Sequence, residues 1–436
     1  MFKAGFSRVD ITPPLGSNLA GYFSTRLAED ILDPLYLNAL AFTDGESTNI
    51  IITSDFLSVM EVFATPIREM VSKRTGVPAD NIMITALHQH TSVRIGCWPW
   101  TGSMEDPNYL ALLYAKYCDV AQMAISDMSD ATVNTATAET AEKVAFIRRF
   151  RMKDGSTKTN PDNMDPNIDH PLGNADNNVR LIRFKREGKK DIAFVNFADH
   201  PDVIAGKKIS ADWPGFVRTY VEAQIDNVHC IIANGAQGDV NHVDRFIPEF
   251  HFGYEWSKHI GQVITDTVKE IWEKTEQHTD THLFSEIKMV YIPTNTSGLE
   301  DKDELLEYKR RYDAGELPEE EEDIAKLAKA GRVADLPMMP ICQKLPVTVM
   351  GIGDIAFVGF GGEPFTEYAE VARASAPELY VITCGLANGQ QGYLPSVAAF
   401  AEGGYEASNS RFASNGAEML QSAAKELLDK HNAYKK

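Results

Sequence analysis

Six short apolar runs, rich in β-branched residues and bounded by turn residues, constrain the fold of this chain most strongly. Such runs are typical of strands buried on both faces of a sheet. Between them lie longer segments with apolar residues three and four positions apart, as in amphipathic helices. The alternation predicts an α/β fold with a mostly buried mixed β-sheet flanked by helices. The predicted strands are Asn49–Thr53, Ile82–Leu87, Ile192–Phe197, His229–Ala233, Ile355–Phe360 and Tyr380–Cys384, and the predicted helices are Ser58–Thr75, Asn108–Ser126, Phe216–Ile225, Tyr254–Lys274 and Ser414–His431.

The chain shows no internal repeat, low-complexity tract or clear linker, so residues 1–436 are expected to form a single domain. One segment, residues 299–331, differs because it is rich in Glu, Lys and Asp. It predicts a charged helical insertion on the surface. A solvated insertion and a mobile cover over an active site are both compatible with this composition.

The charge balance limits the class of partner. A formal net charge of -20 repels phosphate backbones and anionic membrane surfaces, which argues against nucleic acid as a partner. No stretch reaches the ~18 to 20 apolar residues that a membrane span needs. The five cysteines form no CxxC pattern, and the first residues lack an apolar signal region, so a cytoplasmic, reducing location is expected. A small-molecule substrate is the remaining expectation.

Polar residues follow five of the predicted strands directly. In α/β sheets, ligand sites form in the crevice beyond the carboxyl ends of the strands. Packing alone does not explain so many polar groups there, since buried polar groups must be paired or functional. The sequence therefore predicts a site at the strand carboxyl ends. The residues are His88, His90, Asp199, His200, Asn234, Gln237, Asp239, Asn241, Glu363 and Tyr393.

The His88-Gln89-His90 pattern places both imidazoles on one face when the backbone is extended. Alone, the pattern also occurs in polar turns. The pair suits either one metal or one metal ligand plus one acid/base group. One histidine of the pair, together with His200 and Glu363, gives two histidines plus a carboxylate, a common catalytic zinc arrangement with a position left for water. Zinc lowers the pKa of that water to ~7. The alternatives are a half-buried His200 bonded to backbone and a surface carboxylate at Glu363.

The order and spacing of these motifs resemble the neutral (alkaline, non-lysosomal) ceramidase family, from about Phe6 to Tyr405. Each motif is short, and the specificity lies in their combination. They are Asp10-Ile11-Thr12-Pro13-Pro14, Ser54-Asp55, His88-x-His90, Asn196-Phe197-Ala198-x-His200-Pro201, Ser210-Ala211-Asp212-x-Pro214-Gly215, Asn234-Gly235-x-x-Gly238-Asp239, Gly362-Glu363 and Gly392-Tyr393.

The resemblance implies a zinc amidase that cuts an N-acyl bond. It implies Zn²⁺ ligands at His88, His200, Glu363 and Tyr393, and it places His90 near the substrate carbonyl or the zinc-bound water. Zinc-activated water would attack the carbonyl, with His90 acting as general base or as a donor to the developing oxyanion.

The chain departs from the ceramidase pattern in several places. Asn241 stands where ceramidases carry a serine, which excludes a serine nucleophile there. Trp98 and Trp100 lie where a glycine-rich stretch is usual, and they either close an acyl channel or pack in a surface loop. The protein is also expected to lack the immunoglobulin-like C-terminal domain and the export signal of ceramidases. The expected substrate is therefore an N-acyl or ester compound other than ceramide.

The remaining polar residues receive supporting roles. Asp239 and Asn241 join His90 as candidate catalytic residues, and Asn234 and Gln237 are expected to bind polar groups of the substrate. Asp55, Asp199 and Asp212 are candidates to orient the histidines, with a helix cap as the alternative for Asp212. Arg149, beside Arg148, either binds an anionic group or belongs to a solvated surface pair. The rival function is a metal-dependent protein that binds or isomerises a sugar-like polyol.

Overall fold

A computed structural model describes residues 1–96, 106–318 and 321–434. It confirms the α/β fold with a large mixed sheet flanked by helices. Its strands are β1 (Lys3–Asp10), β2 (Tyr36–Thr43), β3 (Thr48–Ser54), β4 (Ile82–Ala86), β5 (Ser129–Glu139), β6 (Asn178–Arg186), β7 (Asp191–Phe197), β8 (Val228–Asn234) and β9 (Glu276–His278). Across the sheet the order is β8-β7-β6-β5-β1-β2-β3-β4, with β9 beside β5.

A second sheet lies on one face of the large one. It contains, in order, β10 (Leu283–Pro293), β11 (Cys342–Ile352), β12 (Ile355–Phe360) and β13 (Tyr380–Cys384). An apolar layer joins the two sheets, and in it the Phe357 ring lies 5.1 Å from that of Phe194 and 6.4 Å from that of Phe42. The expectation of one sheet is therefore incomplete, since two of the six predicted strands belong to the second sheet.

Helices cover the outer faces of both sheets. The described residues contain α1 (Glu61–Thr75), α2 (Pro107–Ser126), α3 (Asp212–Gln224), α4 (Tyr254–Ile271), α5 (Lys302–Asp313), α6 (Ile324–Asp335), α7 (Thr366–Ser375), α8 (Val397–Glu402), α9 (Tyr405–Asn409) and α10 (Gly416–Tyr434). On the large sheet, α1 and α2 pack over one half and α3 and α4 over the other, while α7 and α10 pack on the second sheet. Among these described segments, no helix is both long and apolar enough to cross a membrane.

Three parallel strand pairs determine where the site forms: β3 with β4, β7 with β8, and β12 with β13. These pairs are the six predicted strands. Their carboxyl ends meet around Asn234, which ends β8. The side-chain amide of Asn234 donates to two backbone carbonyls: that of Leu87, after β4, at 3.1 Å and that of Asp199, after β7, at 2.8 Å. The Gly385 amide, after β13, donates to the Asn234 carbonyl at 3.1 Å.

Residues 299–331 carry α5 and the first part of α6, which continues to Asp335. α5 is amphipathic, because charged residues cover one side while Leu305 and Tyr308 are buried on the other. α6 is mostly buried, and its buried residues include the charged Arg332.

Short strands complete the fold. Asn18–Leu19 pairs with Arg26–Leu27, Asp30–Ile31 with Lys208–Ile209, Ser58–Val59 with Arg94–Ile95, Phe146–Ile147 with Val240–Asn241, Glu363–Pro364 with Tyr393–Leu394, and Arg149–Met152 with both Thr157–Thr159 and Ile168–Pro171.

Candidate metal centre

Three buried imidazoles meet at the carboxyl ends of β4 and β7. The ring centroids of His88 and His200 lie 4.7 Å apart, those of His88 and His90 5.1 Å, and those of His90 and His200 5.2 Å. One nitrogen from each ring lies within 4.8 Å of the others, so these side chains could hold a metal ion. The structure thus brings together three histidines that the sequence analysis selected.

His88 is oriented by the loop that follows β3. Its backbone lies in the left-handed region, with φ of 79°, which is costly for a residue with a side chain and is typical of functional sites. The Nδ1 atom hydrogen-bonds to the Leu57 carbonyl at 2.8 Å. Because a carbonyl only accepts, Nδ1 carries the proton, and Nε2 is left as the ligand atom. That Nε2 lies 3.3 Å from Oε2 of Glu363.

His200 is arranged in the same way by a different loop. Its Nδ1 lies 3.2 Å from the Gln237 carbonyl, and its Nε2 has no hydrogen-bond partner. Burial, with the neighbouring Arg148 cation, lowers the pKa of His200 well below its ordinary value. The imidazole is therefore neutral at pH 7, as metal ligation requires.

Glu363 and Tyr393 stand side by side, because their short parallel strands pair them in register. Oε1 of Glu363 accepts a hydrogen bond from Gln390 at 3.0 Å, so Oε2 is the oxygen that faces His88. Burial alone would raise the pKa of Glu363, but His88 and then Arg148 lower it below the ordinary value. Burial raises the pKa of Tyr393 well above its ordinary value.

The residues present fit a divalent cation. Nε2 of His200 and Oε2 of Glu363 are buried, and neither has a hydrogen-bond partner among the described residues. Nε2 of His88 lies 3.3 Å from Oε2 of Glu363. Buried polar atoms are rarely left unpaired, so such a cluster requires an explanation. Two imidazole nitrogens and one carboxylate oxygen are a donor set typical of zinc. The assignment of His88, His200, Glu363 and Tyr393 as the ligand set stays a prediction, because the group whose possible ligand atoms all lie within 4.8 Å of one another contains His90 and not Glu363.

His90 is enclosed by a segment that the sequence analysis does not select. The Tyr22 ring meets the His90 ring edge-on at 5.5 Å, and Arg26 donates to the His90 carbonyl at 2.7 Å. A side chain at Gly21 would lie 2.6 Å from Nδ1 of His90, so only glycine fits there. That Nδ1 is 3.4 Å from Oδ1 of Asp202, which accepts a hydrogen bond from Tyr22. In the sequence, the one feature that could have indicated Asp202 is its position two residues after His200.

The two adjacent arginines correct an expectation, since neither belongs to a solvated surface pair. Arg149 is buried against Glu402 and Glu406, at 3.1 and 3.5 Å, and these ion pairs occupy the guanidinium that was expected to bind the substrate. Arg148 is the one at the site. Its guanidinium pairs with Glu406 at 2.8 Å, lies 3.3 Å from Nδ1 of His200 and hydrogen-bonds to Tyr393.

Of the three aspartates proposed to orient the histidines, Asp55 and Asp212 bond to segments beside the histidines, and Asp199 does not. Asp55 accepts two bonds from Arg218, at 2.6 and 2.5 Å, and one from Gln89 at 3.4 Å, so it holds the residue between His88 and His90. Asp212 accepts from the backbone amides of residues 203 and 204, in the loop after His200. The Asp199 carboxyl has no hydrogen-bond partner, and burial raises its pKa well above the ordinary value.

The polar residues after β8 stabilise the backbone around the site. Asn234 is fully buried, and its side-chain amide donates to the backbone carbonyls of Leu87 and Asp199. Gln237 is also fully buried, and its carbonyl orients His200.

Asp239 and Asn241 have partners away from the imidazoles. The Asp239 carboxylate accepts from the Thr366 amide at 2.8 Å and hydroxyl at 3.0 Å, at the start of α7. The Asn241 amide donates to Asn160 at 2.6 Å. Trp98 and Trp100 lie outside the described residues.

The cleft above the histidines has a volume of about 80 Å³. Aromatic and polar side chains line it, and three of the four candidate ligands are among them. Besides His88, His90, Glu363 and Tyr393, the lining includes Tyr22, Phe23, Gln390 and Tyr405.

Fold and site together define an α/β protein with two packed sheets and a buried, histidine-rich centre at the carboxyl ends of parallel strands. Its fold is that of the neutral ceramidases. Neutral ceramidase from Pseudomonas aeruginosa superposes with a TM-score of 0.71 at 15% identity, over 98% of this chain and 73% of that one. A structure described as ceramidase complexed with C2 gives 0.71 at 14% identity, over 98% and 74%. No family model and no curated protein matches.

Proposed function

We propose that this chain is a zinc-dependent hydrolase that cleaves an amide (N-acyl) or ester bond of a small molecule with an activated water. One observation carries the proposal. Nitrogen atoms of His88, His90 and His200 lie within 4.8 Å of one another in a buried cluster, and Oε2 of Glu363 lies 3.3 Å from Nε2 of His88. The second polar atom of His88, of His200 and of Glu363 is already used by Leu57, Gln237 and Gln390, respectively. Such outer contacts fix the tautomer and direction of metal ligands.

The chemistry divides between the bound ion and the side chains around it. Zinc held by His88, His200, Glu363 and Tyr393 supplies a Lewis acid and lowers the pKa of water to ~7. His90 is positioned to act as the general base, because its Nδ1 faces Asp202 and its Nε2 remains to accept a proton from the attacking water. Arg148 stabilises the negative charge of Glu363 from the outer side.

The fold shared with neutral ceramidases supports an amide-cleaving reaction, yet ceramide itself is not the proposed substrate. Asn241 replaces the serine of the ceramidase pattern, and its amide is engaged by Asn160 instead of facing the cleft. The proposed substrate class is therefore N-acyl or ester compounds in general.

The substitution His88→Ala tests the proposal. In purified wild-type protein, elemental analysis should give about one zinc per chain, and a panel of N-acyl and ester compounds should yield an acid plus an amine or alcohol. The variant should lose both the zinc and the activity while its circular dichroism spectrum stays unchanged. His282→Ala, at an exposed histidine, is the matched control and should retain both. Zinc stoichiometry near one in the His88 variant would refute the ligand assignment.

A further inference from the structure

We infer that the cleft continues into a second cavity, beneath the inserted helices, that binds a polar, hydroxyl-bearing part of the substrate. This inference rests on the proposed function and names the substrate class. The cavity has a volume of about 610 Å³ and lies between the hairpin of residues 156–160 and the helices α5 and α6. Its lining includes Thr157, Lys158, Asn160, Tyr308, Tyr312 and Glu322.

Two aromatic residues connect this cavity to the metal centre. Tyr405 lines both the cleft above the histidines and the second cavity. Phe23 lines the cleft and also packs against the cluster of Tyr308, Leu317 and Leu327, two of which line the second cavity. A substrate with its reacting carbonyl over the histidines therefore reaches the second cavity past these two rings.

The sizes of the two spaces indicate how a substrate divides between them. The cleft of about 80 Å³ has room for a reacting carbonyl group and a water molecule, but not for a whole substrate. The second cavity, at about 610 Å³, falls within the range of ordinary small-molecule sites, roughly 300 to 1,000 Å³. The bulk of the substrate is thus expected under α5 and α6.

The chemistry of the lining favours a hydroxylated ligand over an alkyl chain. The hairpin contributes the Thr157 hydroxyl and the Lys158 ammonium group, and the opposite wall contributes the Tyr312 phenol and the Glu322 carboxylate. The Tyr308 phenol, also in the lining, is already bonded to the backbone of the loop before α6, and apolar residues of α6 complete this wall. An alkyl chain would strip water from these groups and leave their hydrogen bonds unmade, at a cost of about 1–3 kcal/mol each. Hydroxyl groups both donate and accept, so they replace that water. The tyrosine rings remain to pack on the carbon skeleton.

Two six-carbon hydroxamates test the inference, because each anchors on the zinc and directs a tail into the neighbouring space. Gluconohydroxamate carries a hydroxylated tail, and hexanohydroxamate carries an alkyl tail of equal length. Isothermal titration calorimetry on the zinc-loaded protein should give a Kd at least tenfold lower for gluconohydroxamate. Tyr312→Ala, and separately the exposed Lys158→Ala, should bring the ratio of the two Kd values toward one.

Tyr291→Ala is the matched control, since Tyr291 is 59% exposed on β10 and lines neither space, and it should keep the tenfold ratio. Equal or tighter binding of hexanohydroxamate by the wild type would overturn the inference. So would a ratio that both lining variants leave unchanged. A protein that prefers gluconohydroxamate yet hydrolyses nothing would retain the polar cavity and refute only the proposed hydrolase. Failure to bind zinc would overturn both.

Discussion

At the scale of single residues, the candidate ligands are distinguished by which of their atoms are already used. His88 and His200 each commit Nδ1 to a backbone carbonyl, and Glu363 commits Oε1 to Gln390. This leaves Nε2 of His88, Nε2 of His200 and Oε2 of Glu363 for an ion, and Oε2 lies 3.3 Å from Nε2 of His88. This selection cannot be read from sequence, because it depends on the loops at Leu57 and Gln237, which have no motif of their own.

Gln390 and Gln391 offer a matched pair for testing this orientation. Gln390 donates to Glu363 inside the site, whereas Gln391 donates to the Lys344 carbonyl at the surface. Gln390→Ala should weaken zinc affinity by roughly 10–100-fold, the usual effect of losing a group that orients a metal ligand. Gln391→Ala should leave the affinity unchanged. Competition with a zinc chelator measures both, and equal affinities in the two variants would contradict the role given to Gln390.

The buried Asp55–Arg218 pair gives a prediction about stability. Both side chains are almost fully buried, and two hydrogen bonds join them. Arg218→Met leaves the Asp55 charge without its partner, so the free energy of unfolding should fall by about 3–5 kcal/mol. Lys207→Ala breaks an exposed pair with Glu29 and should cost less than about 1 kcal/mol. Urea unfolding compares them, and similar losses in the two variants would contradict the prediction.

At the scale of elements, predictability follows the strand environment. The six strands of the parallel pairs are buried on both faces and read as continuous apolar runs, which is why the sequence reveals them. Antiparallel strands such as β6 (Asn178–Arg186) alternate polar and apolar residues and contain arginines, so they resemble surface segments. The arginine pair was misjudged for a related reason. Its partners, Glu402 and Glu406, are more than 250 positions away in the chain.

The start of α7 gives a prediction about pH. The Asp239 carboxylate meets the first residue of α7, and burial raises its pKa to about 6, from 3.8 in the unfolded chain. Between these pKa values the folded state binds more protons, so this residue lowers stability as pH rises from 4 to 7. In Asp239→Asn that contribution is absent. Urea unfolding should therefore favour the variant by about 2 kcal/mol more at pH 7 than at pH 4. A difference that does not change with pH would contradict the pKa.

At the scale of the whole molecule, the proposed ligands lie far apart in the chain and on both sheets. His88 and His200 follow β4 and β7 of the large sheet, whereas Glu363 and Tyr393 follow β12 and β13 of the second sheet. The resemblance to ceramidases correctly predicts a shared fold, because the order of the motifs matches the order of these strand ends. Their distances apart depend on sheet packing, which no local pattern encodes.

From this arrangement we expect global stability to depend on the proposed ion. The complete proposed ligand set exists only when both sheets are folded and packed, so zinc should bind the native state in preference to the unfolded one. At a free zinc concentration of 100 times Kd, the free energy of unfolding should increase by about 2.7 kcal/mol, and a chelator should remove the increase. Thermal unfolding with and without zinc measures it, with His88→Ala expected to show no increase. Because the site joins the sheets, near-ultraviolet circular dichroism and tryptophan fluorescence should report one common shift in midpoint. Separate shifts for the two probes would mean that the ion stabilises only part of the molecule, and that the four side chains do not bind it together.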